Sequence, residues 1–257
     1  MNTQLTPFML AYLVFISFIF GLVMGSFCNA WAWRIVNGEK IQKGRSHCPK
    51  CGHTLAAKDL FPLFSWIFLK GKCRYCGEPI SKRYPLAELI SGVWYLSIAL
   101  RYGFCLTTVR FLILGSILLI MSLVDIDIME LPDGLMAAAA VSSLIRLAED
   151  ISCWKSMLWG LVPAAVLLIV VLIMDKVLQK DSMGGGDIKL MAVLGLHFGA
   201  AQSVFLLIVS CIVGLMAAKL GGKDRETAFP FGPSLSIAAW VTALIGGPVI
   251  EFYLSLF

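Results

Sequence analysis

Residues 8–32 read FMLAYLVFISFIFGLVMGSFCNAWA, and the first charged side chain of the chain is Arg34. About 20 apolar residues in helical form cross a ~30 Å hydrocarbon core, so this stretch is long enough to span a bilayer. It lacks a basic leading segment and a small-x-small cleavage site, so it reads as a first transmembrane helix rather than a signal peptide. The rest of the chain agrees. Of its 257 residues, 59% are hydrophobic and only 14% charged, against about 25% charged in soluble domains. That balance excludes a disordered chain and an ordinary soluble enzyme. The charge distribution excludes a nucleic-acid binder, because the net +5 is not spread over the chain. Residues 34–83 carry 11 Lys/Arg and 3 Asp/Glu, a local balance of +8, and the remainder carries −3. Such a basic region suits contact with anionic lipid.

Further uncharged runs cover 111–124, 156–174, 190–218 and 227–250. Two weaker ones are 84–100, interrupted by Glu88, and 134–148, interrupted by Arg146. The 29 residues of 190–218 would make one helix roughly 44 Å long, too long for one crossing. Gly195 and Gly199 offer a break, and the run is expected to form two helices that turn near Gly199. The expectation is therefore an all-α polytopic membrane protein of about eight transmembrane helices with a small cytoplasmic insert. Its divisions are a first helix (1–33), the insert (34–83) and a bundle (84–257). Charge asymmetry across membranes favours this count. With eight crossings, 17 of 21 basic residues fall on the side of the insert, the exceptions being Arg101, Arg110, Arg146 and Lys155. With seven, Lys219, Lys223 and Arg225 change sides and the split is 14 against 7.

The insert holds Cys48-Pro-Lys-Cys51-Gly52 and Cys73-Arg-Tyr-Cys76-Gly77, with 21 residues between the pairs. Each pair can form a tight knuckle that aims two thiolates at one ion. Four thiolates satisfy the tetrahedral preference of zinc and close its shell, which makes the site structural. In a 50-residue insert with little core, metal binding supplies much of the folding free energy. Two disulfides or free thiols are the other readings, and a cytoplasmic location argues against disulfides. Cys28, Cys105, Cys153 and Cys211 are scattered and read as small packing residues. His47 and His53 flank the first knuckle, and His197 falls at a helix end.

Asp125 and Asp127 lie where the third helix ends, and Asp187 follows three glycines at the start of the sixth. The eight-helix count puts both segments on the side of the insert. Ionisable groups at apolar helix ends are costly and are functional candidates by default. Three glycines permit unusual backbone angles and close approach of another chain. Two facing aspartates can share one proton, so that one takes a proton from water while the other donates to a carbonyl oxygen. That is hydrolysis of a peptide bond without a covalent intermediate. Other readings are a flexible connector with capping aspartates and a proton or ion relay. Asp127 and Asp133 read as solvated loop and cap.

Taken in order, these motifs resemble the type IV prepilin peptidases. The resemblance runs through Gly25-Ser-Phe-Cys-Asn29 with Arg34, Gly44-Arg-Ser-His-Cys48-Pro-Lys-Cys51, Asp59-Leu-Phe-Pro62, Ser65-Trp66 and Gly71-Lys-Cys73-Arg-Tyr-Cys76. It continues through Ile80-Ser-Lys-Arg83-Tyr-Pro85, Glu88, Asp125-Ile-Asp127, Leu131-Pro-Asp133, the segment 184–189 and Pro230-Phe-Gly-Pro233. It implies an inner-membrane, multi-pass aspartyl peptidase of the GxGD type with Asp125 and Asp187 as its dyad. The implied substrates are prepilins or pseudopilins of type IV pilus, type II secretion or competence systems, cut after a basic leader. It further implies N-methylation of the new terminus with S-adenosylmethionine, for which residue chemistry alone marks no pocket. A peptidase whose zinc insert only scaffolds remains the alternative.

Overall fold

The computed structural model describes residues 7–40, 44–179, 183–220 and 229–256, with side chains from residue 11 onward. Lys223 and Arg225, used in the charge count, and the first two residues of the 227–250 run lie outside the described residues. Among the described residues the secondary structure is helical, apart from the two isolated bridges His47–Thr54 and Lys72–Pro79. Packing divides the chain into two units, Met1–Phe104 and Cys105–Phe257.

In the first unit, α1 (Pro7–Val36) leads into the insert, which carries a short α2 (Phe64–Phe68), and α3 (Arg83–Tyr102) follows. The second membrane run thus packs with the first helix. Glycines at helical spacing on α1 explain how. A Cβ at Gly21 would lie 2.8 Å from Gly92 Cα, and one at Gly25 would lie 2.8 Å from Glu88 Cα. Where both solvent and side chains are apolar, close backbone approach of this kind drives association.

The second unit opens with α4 (Leu106–Ile128), which stops at Met129 in a left-handed conformation (φ 55°). Then come α5 (Asp133–Ser143), α6 (Ile145–Glu149), α7 (Trp154–Trp159) and α8 (Val162–Leu178). The expected 134–148 helix is therefore two pieces that meet at Leu144. The long 190–218 run breaks as expected, into α9 (Gly185–Phe198) and α10 (Ala200–Leu220), with Gly199 between them at φ 78°. At this angle a side chain is strained, so only glycine turns the chain here without cost. The last segment is α11 (Gly232–Val241), a π-helical turn over Thr242–Gly246, and α12 (Gly247–Leu254).

Among the described residues five helical stretches are long and apolar enough to cross a membrane: Ala11–Val36, Leu106–Ile128, Ile151–Leu178, Ala200–Leu220 and Gly232–Leu254. Helices also form over the other three expected runs, but those are shorter or carry charge. Helix α4 is the hub of its unit, with 61% of its apolar window buried against 22–33% in the other spans. The apolar side chains left exposed on those spans, such as Val170, Ile208 and Leu215, form the surface that a bilayer would cover.

Candidate active site

Helix α4 carries Asp125 in its last turn, where the residue is 4% exposed. The α9 helix begins after Gly184, and Asp187 stands at its third position. Both carboxylates line one cleft of about 290 Å³, together with Leu131, Asp133, Lys189 and the three glycines 184–186. The N-cap of α9 is Gly184, so Asp187 is not the helix cap. Its Oδ1 is buried without a hydrogen-bond partner among the described residues. A buried oxygen without a protein partner is uncommon in folded proteins and calls for a partner from outside the chain, such as water or a ligand.

Asp125 is held by a group that the sequence reading quoted without assigning it a role. The backbone N–H of Gly232 donates to Asp125 Oδ2 at 2.9 Å. A Cβ at Gly232 would stand 2.8 Å from that oxygen, which explains the glycine inside Pro230-Phe-Gly-Pro233. Two of the three glycines before Asp187, Gly184 and Gly186, also act through space rather than angle. Gly184 has φ −63° and ψ 133°, which any residue can adopt, so the unusual backbone angles expected there do not occur. At Gly186 a Cβ would press on Leu131 at 3.2 Å, and at Gly184 it would stand 3.3 Å from Asp187 Oδ2. Asp127 is exposed and lies within α4 rather than in a loop. Asp133 opens α5 after the N-cap Pro132 and pairs with Lys189 Nζ at 2.8 Å.

At the far end of α9 lie two of the basic residues counted on the side opposite the insert, Arg110 and Arg146. Arg110 is 5% exposed, and its Nη1 donates to His197 O at 2.9 Å. Arg146 Nη1 reaches the same carbonyl at 3.4 Å. Guanidinium groups here satisfy the free carbonyls of a helix C-terminus and complement its dipole. His197 lies at the helix end, as expected, and is buried. Its Nε2 is 2.9 Å from Ala139 O, and a carbonyl can only accept, so Nε2 carries the proton. Near the same end of α9, three residues before Phe198, Gly195 meets Gly160 backbone to backbone, and a Cβ on either would collide with the other's carbonyl. The register of α9, and hence the position of Asp187, is set by these two contacts.

In the first unit the four insert cysteines converge, with their Sγ atoms all within 4.8 Å of one another and Cys48 Sγ 4.0 Å from Cys76 Sγ. A zinc–sulfur bond of about 2.3 Å implies about 3.8 Å between sulfurs in a tetrahedron, so the set fits zinc. The knuckles repeat one pattern. Cys48 N–H donates to His53 O and Cys73 N–H to Glu78 O, while Gly52 and Gly77 turn at φ 68° and 74°. Backbone hydrogen bonding from Cys51, against the effect of burial, holds the Cys48 thiol down to about 7. Among the described residues no two cysteines are joined in a disulfide. Beside the knuckles, Asp59 accepts from Arg74 Nε at 2.6 Å and Tyr75 Oη at 2.9 Å. Burial pushes its carboxyl up, but these bonds and the Ala56 N–H outweigh burial and hold it below its ordinary value.

As a class, this is an all-helical, multi-pass membrane-type protein with a carboxylate-lined cleft and a four-cysteine cluster. Comparison with known proteins narrows the class. Residues 19–102 match the bacterial peptidase A24 N-terminal domain and residues 112–218 the type IV leader peptidase family. The chain is 32% identical over 246 residues to a prepilin leader peptidase/N-methyltransferase of Bacillus subtilis, covering 94% of this chain and 98% of that protein. It is 36% identical over 215 residues to the one of Stutzerimonas stutzeri, covering 81% and 74%. A type 4 prepilin-like proteins leader peptide-processing enzyme of Escherichia coli is 33% identical over 249 residues, covering 86% and 90%. No solved structure matches the chain. The chain belongs to the type IV leader peptidase family.

Proposed function

We propose that this protein is an inner-membrane endopeptidase that removes the basic leader of type IV prepilins and pseudopilins, with Asp125 and Asp187 as its dyad, and then methylates the new N-terminal amine. The observation that carries this reading is the meeting of two carboxylates, 62 residues apart in sequence and on different helices, in one cleft floored by the glycines before Asp187. In this reading the chain crosses the membrane eight times, and the insert and the dyad face the cytoplasm. The divisions are a first helix, a zinc insert over 34–83 and a peptidase bundle over 84–257.

The chemistry follows from the geometry. An extended leader lies along the backbone at Gly184–Gly186, where no side chain intervenes. One carboxylate takes a proton from water, which attacks the scissile carbonyl, while the protonated partner donates to the carbonyl oxygen. Gly232 N–H fixes the orientation of Asp125 during this exchange. Collapse of the tetrahedral intermediate releases the leader's carboxylate and the new amine. Cys48, Cys51, Cys73 and Cys76 would hold zinc, which would supply a closed structural crosslink and no reactive position. S-adenosylmethionine would supply the methyl group.

The test uses purified enzyme in lipid, a prepilin and labelled S-adenosylmethionine, with leader loss followed by mass and label transfer followed separately. Asp125→Asn and Asp187→Asn are each expected to abolish cleavage. Near-normal cleavage by either variant removes the dyad assignment, and cleavage without label transfer leaves a peptidase whose insert only scaffolds.

A further inference from the structure

The first unit contains a second and larger cavity, about 430 Å³, lined by residues of α1, the first knuckle, α2 and the start of α3. That volume falls within the ~300–1,000 Å³ of ordinary small-molecule sites. Its walls are mostly apolar and include the aromatic rings of Trp33, Trp66 and Tyr84. Among the described residues Glu88, which is 8% exposed, lines it with a carboxylate that has only neutral partners. Its Oε2 accepts the Leu63 N–H at 2.7 Å, and Ser26 hydrogen-bonds to it as well. Asp59, also on the wall, is already matched by Arg74, and Arg34, Lys50 and Glu78 line the cavity as well. A buried carboxylate without a countercharge is costly unless a cation joins it.

The backbone nearby is strained toward this carboxylate. Phe64 N–H bonds to Pro62 O at 2.6 Å, which closes a three-residue turn centred on Leu63. Leu63 stands at φ 59° and ψ −51°, the positive-φ γ-turn that is rare and strained. The same turn aims Leu63 N–H at Glu88. Strain of this kind persists where surrounding structure holds it and clusters at ligand sites.

We infer that this cavity binds the methyl donor, with the sulfonium of S-adenosylmethionine set against Glu88 and its adenine against the aromatic wall. The inference rests on the methyltransferase reading above. A sulfonium is a soft cation that an aromatic lining and one carboxylate recognise together, as aromatic cages recognise quaternary ammonium groups. The transfer balances without another reactant. The neutral amine's lone pair forms the N–C bond, the C–S bond breaks, and its electron pair stays on sulfur as a neutral thioether. The methylated ammonium then releases a proton to water.

Charge is the discriminating feature, because the product S-adenosylhomocysteine has the same adenosyl group and no sulfonium. Equilibrium binding of both compounds to full-length enzyme in lipid tests the inference. In Glu88→Gln, affinity for S-adenosylmethionine should fall about tenfold or more, roughly what loss of one close charge contact costs. S-adenosylhomocysteine should bind within about threefold of wild type, which also shows that the cavity is still folded. Equal losses for both compounds, or none for either, overturn the pairing with Glu88. Ultraviolet photolabelling of the unaltered enzyme with S-adenosylmethionine is independent of any variant. Label on residues 26–88 supports the site. Label confined to residues 105–257, with methyl transfer intact, overturns it and leaves the methyltransferase reading standing. Neither binding nor methyl transfer by wild type removes that reading itself.

Discussion

The four-cysteine cluster and the carboxylate cleft treat their polar side chains in opposite ways. In the insert the four sulfurs converge, and the carboxylate of Asp59 is matched by Arg74 and Tyr75. Little apolar surface is buried there, so the fold depends on those polar contacts. In the bundle the apolar core around α4 is closed without help from Asp187, whose Oδ1 is left alone. Polar groups that hold a fold together are matched, whereas polar groups reserved for chemistry are tolerated by a fold that other contacts stabilise. Substitutions should therefore separate cleanly: changes in the insert act on structure, and changes at the bundle's carboxylates act on rate.

The largest effect expected is removal of the metal. A structural zinc contributes about 10 kcal/mol or more to a small domain. A strong chelator, or Cys48→Ser with Cys73→Ser, should unfold the insert, and limited proteolysis should then cut within residues 34–83 while the bundle stays protected. Next comes the proposed dyad. Asp125→Asn or Asp187→Asn should slow leader cleavage by about a thousandfold or more, with no fall in thermal stability in detergent. A concurrent loss of stability would break the contrast drawn above. Gly160→Ala and Gly195→Ala force a Cβ into a facing carbonyl and should cost about 1–3 kcal/mol or more, measured as a lowered unfolding temperature. Smallest is Lys189→Ala, which removes an ion pair whose partners are 62% and 79% exposed. It should change stability by about 0.5 kcal/mol or less, and a large loss would mean that this pair does more than sit at the cleft's rim.

What could be read from the sequence follows the range of the interaction. Cysteine knuckles are local, so their spacing and following glycines reveal them. The break at Gly199 is also local, because a 29-residue apolar run exceeds a bilayer and glycine is the residue that turns it. Hydrophobic runs located the longer helical segments, but not the short α2, the interruption of 134–148 at Leu144 or the break between α7 and α8. Long-range pairings left no such trace. Nothing in the pattern says that Gly160 meets Gly195, or that Gly232 N–H ends at Asp125. Charge counting assigns an Arg only to a side of the membrane, so it does not reveal that Arg110 is buried against the end of α9. The strained turn at Leu63 is invisible because no residue type announces it.

Helix α9 has 14 residues and so measures about 21 Å, well short of a ~30 Å hydrocarbon core. Its far end is pinned inside the protein by two guanidinium groups, while its near end carries Asp187. It thus works as a built-in depth gauge. The reach of the carboxylate is measured from a protein anchor and not from the lipid surface. When bilayer thickness changes, the full-length helices tilt to absorb the mismatch, and the spacing between anchor and carboxylate stays constant.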